Sequence, residues 1–362
     1  VLRDYTQDRA AIYSALDHHL TAYPWSLTVG FNPMKLLATS LGTLEQVAKA
    51  TSGHPGHKNI IWIGKGFPGI DLTGDSIDQQ AAQQLTSAVE AVINHLRDAR
   101  ITLYTIDPTP LSSTIQSVSN DASTTGDDDG ISAPDPFAGD INFMALAPAT
   151  GGKAFYSRND IDRELAESVR YGTEYYTLSY RPPPATTDVA RPFRKIRVRF
   201  DERGLQANYR QGYYTKTDAP EPVDPRRVQY DLYAAETGTM AYTGFTMAAM
   251  RKPGTADTFV VAVLEKQLQW TEDDPAAAAP TQSAKLTLVA TALDKKGAML
   301  RRATTELTAR RPAAQAATAA ADAVARFEIQ LPDAPKALKV RFVLRGADGR
   351  IGTADIDAHT GR

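Results

Sequence analysis

The sequence predicts an α/β domain, an open, mostly parallel sheet with helices on both faces, followed by an all-β sandwich of immunoglobulin type. Three observations carry this. Short apolar runs alternate with helical patterns over the first part of the chain. A Pro/Asp-rich stretch, "KTDAPEPVDPRR", then interrupts it. Beyond that stretch short strand-like segments recur without a convincing amphipathic helix. The expected layout is an α/β domain over residues 1–216, a linker over 217–227 and a sandwich over 228–362.

The elements follow in order. Val1-Leu2 reads as the tail of a strand already under way, in a chain that opens without Met or a signal-peptide core. Thr6-Gln7-Asp8-Arg9 reads as a helix start with Thr6 as N-cap, and Ile12, Tyr13, Leu16 and Leu20 follow at helical spacing. Leu36, Leu37, Leu41, Leu44 and Val47 predict a second helix. Asn59–Ile63 is an apolar strand. In "SIDQQAAQQLTSAVEAVINHLRDAR", Leu85, Val89, Val92, Ile93 and Leu96 form one stripe, and Arg97 and Arg100 suit the C-terminal dipole. That helix runs into a second strand, Ile101–Asp107. Strand, helix, strand with short connections is the pattern of parallel pairing with a right-handed crossover.

Residues 108–140, rich in Ser, Thr, Asp, Gly and Pro, predict a long loop or lid. A helix at "INFMALAPATGG", a strand at "KAFYS" and a helix at "NDIDRELAESVRYG", capped by Asn159 or Asp160, come next. Strands are expected at "EYYTLSY", "RKIRVRF" and "LQANYRQGYYT". After the linker, strands are expected at "VQYDLYAA", "GFTMAAM", "TFVVAVLEKQL", "AKLTLVATALD", "AMLRRATTELT", "ARFEIQL", "LKVRFVLR" and "IGTADID".

Composition narrows the function classes. A net charge of −2 gives no general pull towards nucleic acid. No apolar run approaches the roughly 20 residues of a membrane helix. With no cysteine in the chain, a disulfide framework and a thiolate metal site are excluded.

The blocks "LRDYTQDRAAI", "GHPGHKNIIWIGKGFP", "ITLYTIDP", "LAPATGGKAFY", "YYTLSYRPP" and "RKIRVRF" through "YRQGYY" span most of residues 1–215. In that order they resemble the von Willebrand factor A-related domain proteins abundant in Acidobacteria. The resemblance implies a Rossmann-like, von Willebrand A-type domain that is incomplete at its N-terminus, with a β-sandwich after it. It also implies an extracytoplasmic protein, secreted, periplasmic or on the cell surface, that binds or adheres without enzymatic activity.

Such a domain places a divalent cation at the C-terminal edge of its strands, using D-x-S-x-S and a further acidic residue. Nothing suitable in this sequence supplies the D-x-S-x-S motif, and the further acidic position reads Gly64-Lys65-Gly66. An ammonium repels a dication. At about 4 Å and an effective dielectric near 20, each unit of charge is worth roughly 4 kcal/mol. No metal and no other cofactor is therefore expected.

Lys65 reads either as a solvated strand-end lysine or as a contact for an anionic partner group. Asp127-Asp128-Asp129-Gly130 reads as a solvated loop or a Ca²⁺ site, and it lacks the ladder and distal Glu of an EF-hand. It follows the strand ending at Asp107, so it should overhang the same edge as Lys65. The candidate binding rim is thus Lys65, Gly66, Phe67, Asp71, Asp107, Asp127, Asp128 and Asp129. His54 and His57 in "HPGH" lack a nearby third zinc ligand. No G-x-S-x-G or catalytic carboxylate pair stands out, so no catalytic residue is assigned.

The expected partner is a protein, a second copy of this chain included, with no nucleic acid and no membrane span. One alternative is a structural subunit assembled by strand complementation. Another is a metal-dependent receptor or enzyme completed by a preceding segment.

Overall fold

The computed structural model describes residues 6–11, 13–14, 32–73, 77–107, 137, 139–156, 161–173, 175–180, 193–201, 208–214, 224–273, 280–314, 320–332 and 336–358. It is a mixed α/β fold with one parallel sheet and several antiparallel ones. The chain divides into two compact units. One comprises Gly30–Ala48 and Gly56–Pro220, and the other includes Lys49–Pro55 and Glu221–Arg362. The first unit is therefore not one contiguous stretch of residues 1–216. Among the described residues no helix is long and apolar enough to cross a membrane.

The first unit is built on β1 (Lys58–Ile63), β3 (Ile101–Ile106) and β5 (Ala154–Phe155), in spatial order β1-β3-β5 and all parallel. The crossover from β1 to β3 contains α2 (Gln79–Asp98), and that from β3 to β5 contains α3 (Phe143–Thr150). Their starts follow capping rules. The Asp78 carboxylate accepts from Ala81 N at 2.8 Å, and Asn142 Oδ1 accepts from Met144 N at 2.9 Å.

β3 is buried at all six positions because both sheet faces are covered. On one face Ile101 and Leu103 join Val89, Val92, Ile93 and Leu96 of α2, Leu146 of α3, and Leu37, Leu41 and Leu44 of α1 (Pro33–Thr51). On the other face Tyr104, Ile106 and Phe155 meet Ile161 and Tyr171 of α4 (Ile161–Thr173). Each fully buried side chain of this kind contributes about 1.5–3 kcal/mol.

Two short ribbons complete the unit. β2 (Ile70–Asp71) pairs antiparallel with β4 (Asp140–Ile141), and β6 (Phe193–Lys195) pairs with β7 (Gly212–Tyr214). The longer strands expected at "RKIRVRF" and "LQANYRQGYYT" shrink to these three-residue pieces. The strand expected at "EYYTLSY" is corrected outright. Residues 175–180 carry no ladder pairing, with Tyr176 98% and Leu178 82% exposed. Its alternating aromatics meet strand propensity, but a strand exists only where a neighbour supplies hydrogen bonds.

In the second unit, β10 (Thr271–Glu272), β11 (Thr281–Leu293), β12 (Met299–Pro312), β14 (Lys339–Gly346) and β15 (Ile351–Asp357) form one antiparallel sheet. β11 is central, pairing β12 along one edge and β14 along the other. β8 (Met247–Arg251), β9 (Thr258–Leu264) and β13 (Val324–Gln330) form a second sheet. One core joins the two, with Val261 and Val263 of β9 and Ile329 of β13 meeting Leu286, Leu288, Phe342 and Leu344.

"VQYDLYAA" is not a strand. It belongs to α5 (Pro225–Thr237), so the expectation of no amphipathic helix beyond the linker fails. Asp224 caps this helix by accepting from Arg226 N at 2.9 Å, with Pro225 in its first turn. Leu232 and Ala235 share a core with Ala50, Tyr242, Val289, Val343 and Ile351. The N-terminal helix start likewise shifts by two residues. Asp8 Oδ1, not Thr6, accepts from Ala10 N and Ala11 N, at 2.9 and 3.3 Å. The Asn159/Asp160 cap, Ile12, Leu16 and Leu20 lie outside the described residues, as does most of the 108–140 loop.

Candidate functional site

The C-terminal edge of the parallel sheet is fixed by strand register. Ile63 lies beside Ile106, Gly64 N donates to Ile106 O at 2.9 Å, and Asp107 N donates to Phe155 O at 2.9 Å. Lys65 and Asp107 therefore leave the ends of neighbouring parallel strands on the same edge. Lys65 is exposed and makes no hydrogen bond or ion pair among the described residues. Ile63, the last residue of β1, is 51% exposed.

Gly66 and Phe67 serve this edge from below. Gly66 adopts φ +65°, and a Cβ there would lie 2.2 Å from the Phe143 ring. Only glycine lets the backbone pass so close. Phe67 is buried and stands edge-on to Phe143 at 5.6 Å, and Phe143 stands edge-on to Trp62 at 5.0 Å. Phe67 is thus corrected from a rim contact to part of the apolar floor under Lys65. An aromatic at a strand end reads the same in sequence whether it points out or in.

Asp71 is exposed, and its Oδ1 accepts from Thr73 N and Thr73 Oγ1 at 2.8 and 2.7 Å. In the β2–β4 ribbon it stands directly opposite Asp140, which the sequence reading did not single out. That pairing joins residues far apart in the chain, and no local spacing announces it. Asp127, Asp128 and Asp129 lie outside the described residues.

The arrangement presents charge of both signs, Lys65, Asp71, Asp107 and Asp140, near the Trp62–Phe143–Phe67 aromatic cluster. Among the described residues, no group of three or more His, Asp or Glu side chains could hold a metal ion.

β1 has a second feature that concerns binding. It pairs only with β3 among the described residues. Lys58 N donates to Arg100 O at 2.9 Å and Gly64 N donates to Ile106 O. Alternation then turns the backbone groups of Asn59, Ile61 and Ile63 towards the other edge.

No protein-family model and no curated protein matches the chain. One similar solved structure is a calcium-binding mutant of Bacteroides uniformis beta-glucuronidase 2, at 13% identity and a TM-score of 0.15. The match covers 31% of this chain and 12% of that one, and at this similarity it carries no argument.

Proposed function

We propose that this protein is a non-enzymatic, extracytoplasmic protein-binding or adhesion module. In this reading it is a von Willebrand A-like domain followed by an immunoglobulin-like sandwich, and it works without a divalent cation. The observation that supports it is the second edge of β1. A strand of interior composition, "KNIIWI", leaves one row of backbone groups unpaired among the described residues, with Ile63 half in water. An extended partner segment adding to such an edge gains main-chain hydrogen bonds and apolar contact together. The same edge supports a second reading, in which the added strand comes from another copy and the product is an oligomer.

Ile61→Pro tests both. Proline at an outward-facing N–H blocks strand addition and leaves the β1–β3 ladder its bonds. A photo-crosslinking residue at Ile63 should label an extended segment of a surface protein in the native host, or of a second copy, and Ile61→Pro should abolish the label. Light scattering separates the two readings, because the second requires oligomers that Ile61→Pro dissociates. Labelling that survives the proline, or turnover on a hydrolase panel, overturns the proposal.

A further inference from the structure

Residues 175–180, "YYTLSY", run without helix, turn or bend and pair with no strand among the described residues. All six are exposed, and large apolar side chains recur at every second position, Tyr176, Leu178 and Tyr180. In a strand these three line one face, with Thr177 and Ser179 on the other. That is the pattern of a half-buried strand, shown here on the surface. Both ends of the segment are held by the chain's own rings. Tyr175 lies 4.8 Å from His57, just before β1, and Tyr180 lies 6.4 Å from Tyr213 of β7.

The open edge of β1 carries a matching apolar surface. Ile61 packs on the Tyr104, Ile106 and Phe155 core together with Ile161 and Tyr171 of α4, and Ile63, two residues on, shares its face. α4 rests on β1 at Gly172, whose carbonyl accepts from Asn59 Nδ2 at 3.0 Å. Its other flank looks towards β5, where Lys153 Nζ meets Glu167 Oε1 at 2.8 Å. At about 100° per residue, Leu165 and Val169 fall on the Gly172 side of the helix, away from Glu167. Both are exposed, as is Ile63. Ile63, Leu165 and Val169 thus leave apolar surface uncovered on the β1 side of the unit.

We propose that the occupant of the β1 edge is residues 175–180 of a second copy, exchanged reciprocally in a two-fold dimer, an assignment that rests on the reading of β1 as a strand-accepting edge. The segment and β1 are each six residues long. Added to β1, the segment lays Tyr176, Leu178 and Tyr180 over Ile63, Leu165 and Val169. Its backbone pairs with the groups of Asn59, Ile61 and Ile63. At about 150–250 Å² for a fully buried aromatic, the exposed parts of Tyr176, Leu178 and Tyr180 supply roughly 400–500 Å². With the receiving surface that makes about 1,000 Å² per added strand, and reciprocal exchange brings about 2,000 Å², within the range of stable interfaces. The Tyr175–His57 contact sets segment and edge side by side on one molecule, so a single two-fold axis can form both pairings.

The chain has no cysteine, which gives disulfide mapping a clean background. Ile63→Cys protein is mixed with Tyr176→Cys, Leu178→Cys or Tyr180→Cys protein and mildly oxidised. At least one mixture should give a disulfide-linked dimer beyond what either variant forms alone. Analytical ultracentrifugation should show the wild type as a dimer. Tyr176→Ser with Leu178→Ser should weaken its Kd at least about tenfold, and Leu165→Ser should weaken it too. Tyr233→Ser, an exposed tyrosine of α5, should leave it unchanged. None of these side chains belongs to the core, so the variants keep the fold. A monomeric wild type, or a dimer whose Kd survives the Tyr176→Ser, Leu178→Ser pair, overturns the assignment. The strand-accepting edge itself still stands if photo-crosslinking at Ile63 captures another protein and Ile61→Pro abolishes that label. Without such a label both fall.

Discussion

Arg302 and Glu236 meet through two parallel bonds, Nε to Oε2 at 2.7 Å and NH2 to Oε1 at 2.9 Å. The glutamate side chain is 1% exposed and the arginine 42%. Thr291 Oγ1 adds a third bond to Glu236 Oε2 at 3.2 Å. The pair ties the C-terminal end of α5 to β12, across the sheet face that the helix covers. Arg302→Met leaves the carboxylate buried without its cation and should cost about 2–3 kcal/mol, since the guanidinium is partly in water. Adding Glu236→Leu should recover most of that loss. Urea denaturation of the four-member cycle measures the coupling, and additive losses would mean that the pair is not coupled.

Asp355 gives the second unit an acid-sensitive contact. Its carboxylate accepts from Arg341 Nε and NH2 at 2.7 Å each and from Lys339 Nζ at 3.1 Å. Burial alone would raise this carboxyl, but the bonds and charges of Arg341 and Lys339 outweigh it and hold it below the ordinary value. A carboxyl lowered on folding stabilises the fold above its unfolded pKa, about 3.9, and loses that contribution as pH falls through the folded value. Wild type should therefore lose more stability than Asp355→Asn between pH 5 and the acid limit of folding, in denaturation series run side by side.

Gly66→Ala should destabilise the first unit by about 2–5 kcal/mol. The left-handed backbone costs about 1–2 kcal/mol with a Cβ, and displacing Phe143 adds about 1–3 kcal/mol. Gly69→Ala is the control, because its Cβ would meet nothing within 4 Å. Equal stability of the two variants in thermal unfolding contradicts the packing described beneath Lys65.

Arg100 is the one described non-glycine residue with positive φ, at 57°. It follows Ala99, the C-cap of α2, in the position where helices prefer glycine. Arg100→Gly should raise stability by about 1 kcal/mol, read as a higher denaturation midpoint.

Lys65→Ala should change stability by less than about 0.5 kcal/mol, because the exposed side chain has no partner to lose among the described residues. Millimolar Mg²⁺ or Mn²⁺ should leave the wild-type Tm unchanged. A saturable rise in Tm with either ion contradicts the electrostatic argument from Lys65.

The sequence by itself determined the elements whose information is local. α2 shows its apolar stripe and its C-terminal arginines, and β3, β9, β11 and β14 show as apolar runs between turn residues. The Asp224-Pro225 start and Gly238 end of α5 are equally local signals, which the expectation of a strand at "VQYDLYAA" did not use. Tertiary structure alone decided the rest. It turned Phe67 inward, placed Asp140 opposite Asp71, left Tyr176 and Leu178 without a strand partner among the described residues, and brought the Arg210 backbone against the turn at Gly151. The physical reason is one of range. Propensity and capping act within a turn or two, whereas burial, cross-strand pairing and charge crowding depend on neighbours that only the folded chain supplies.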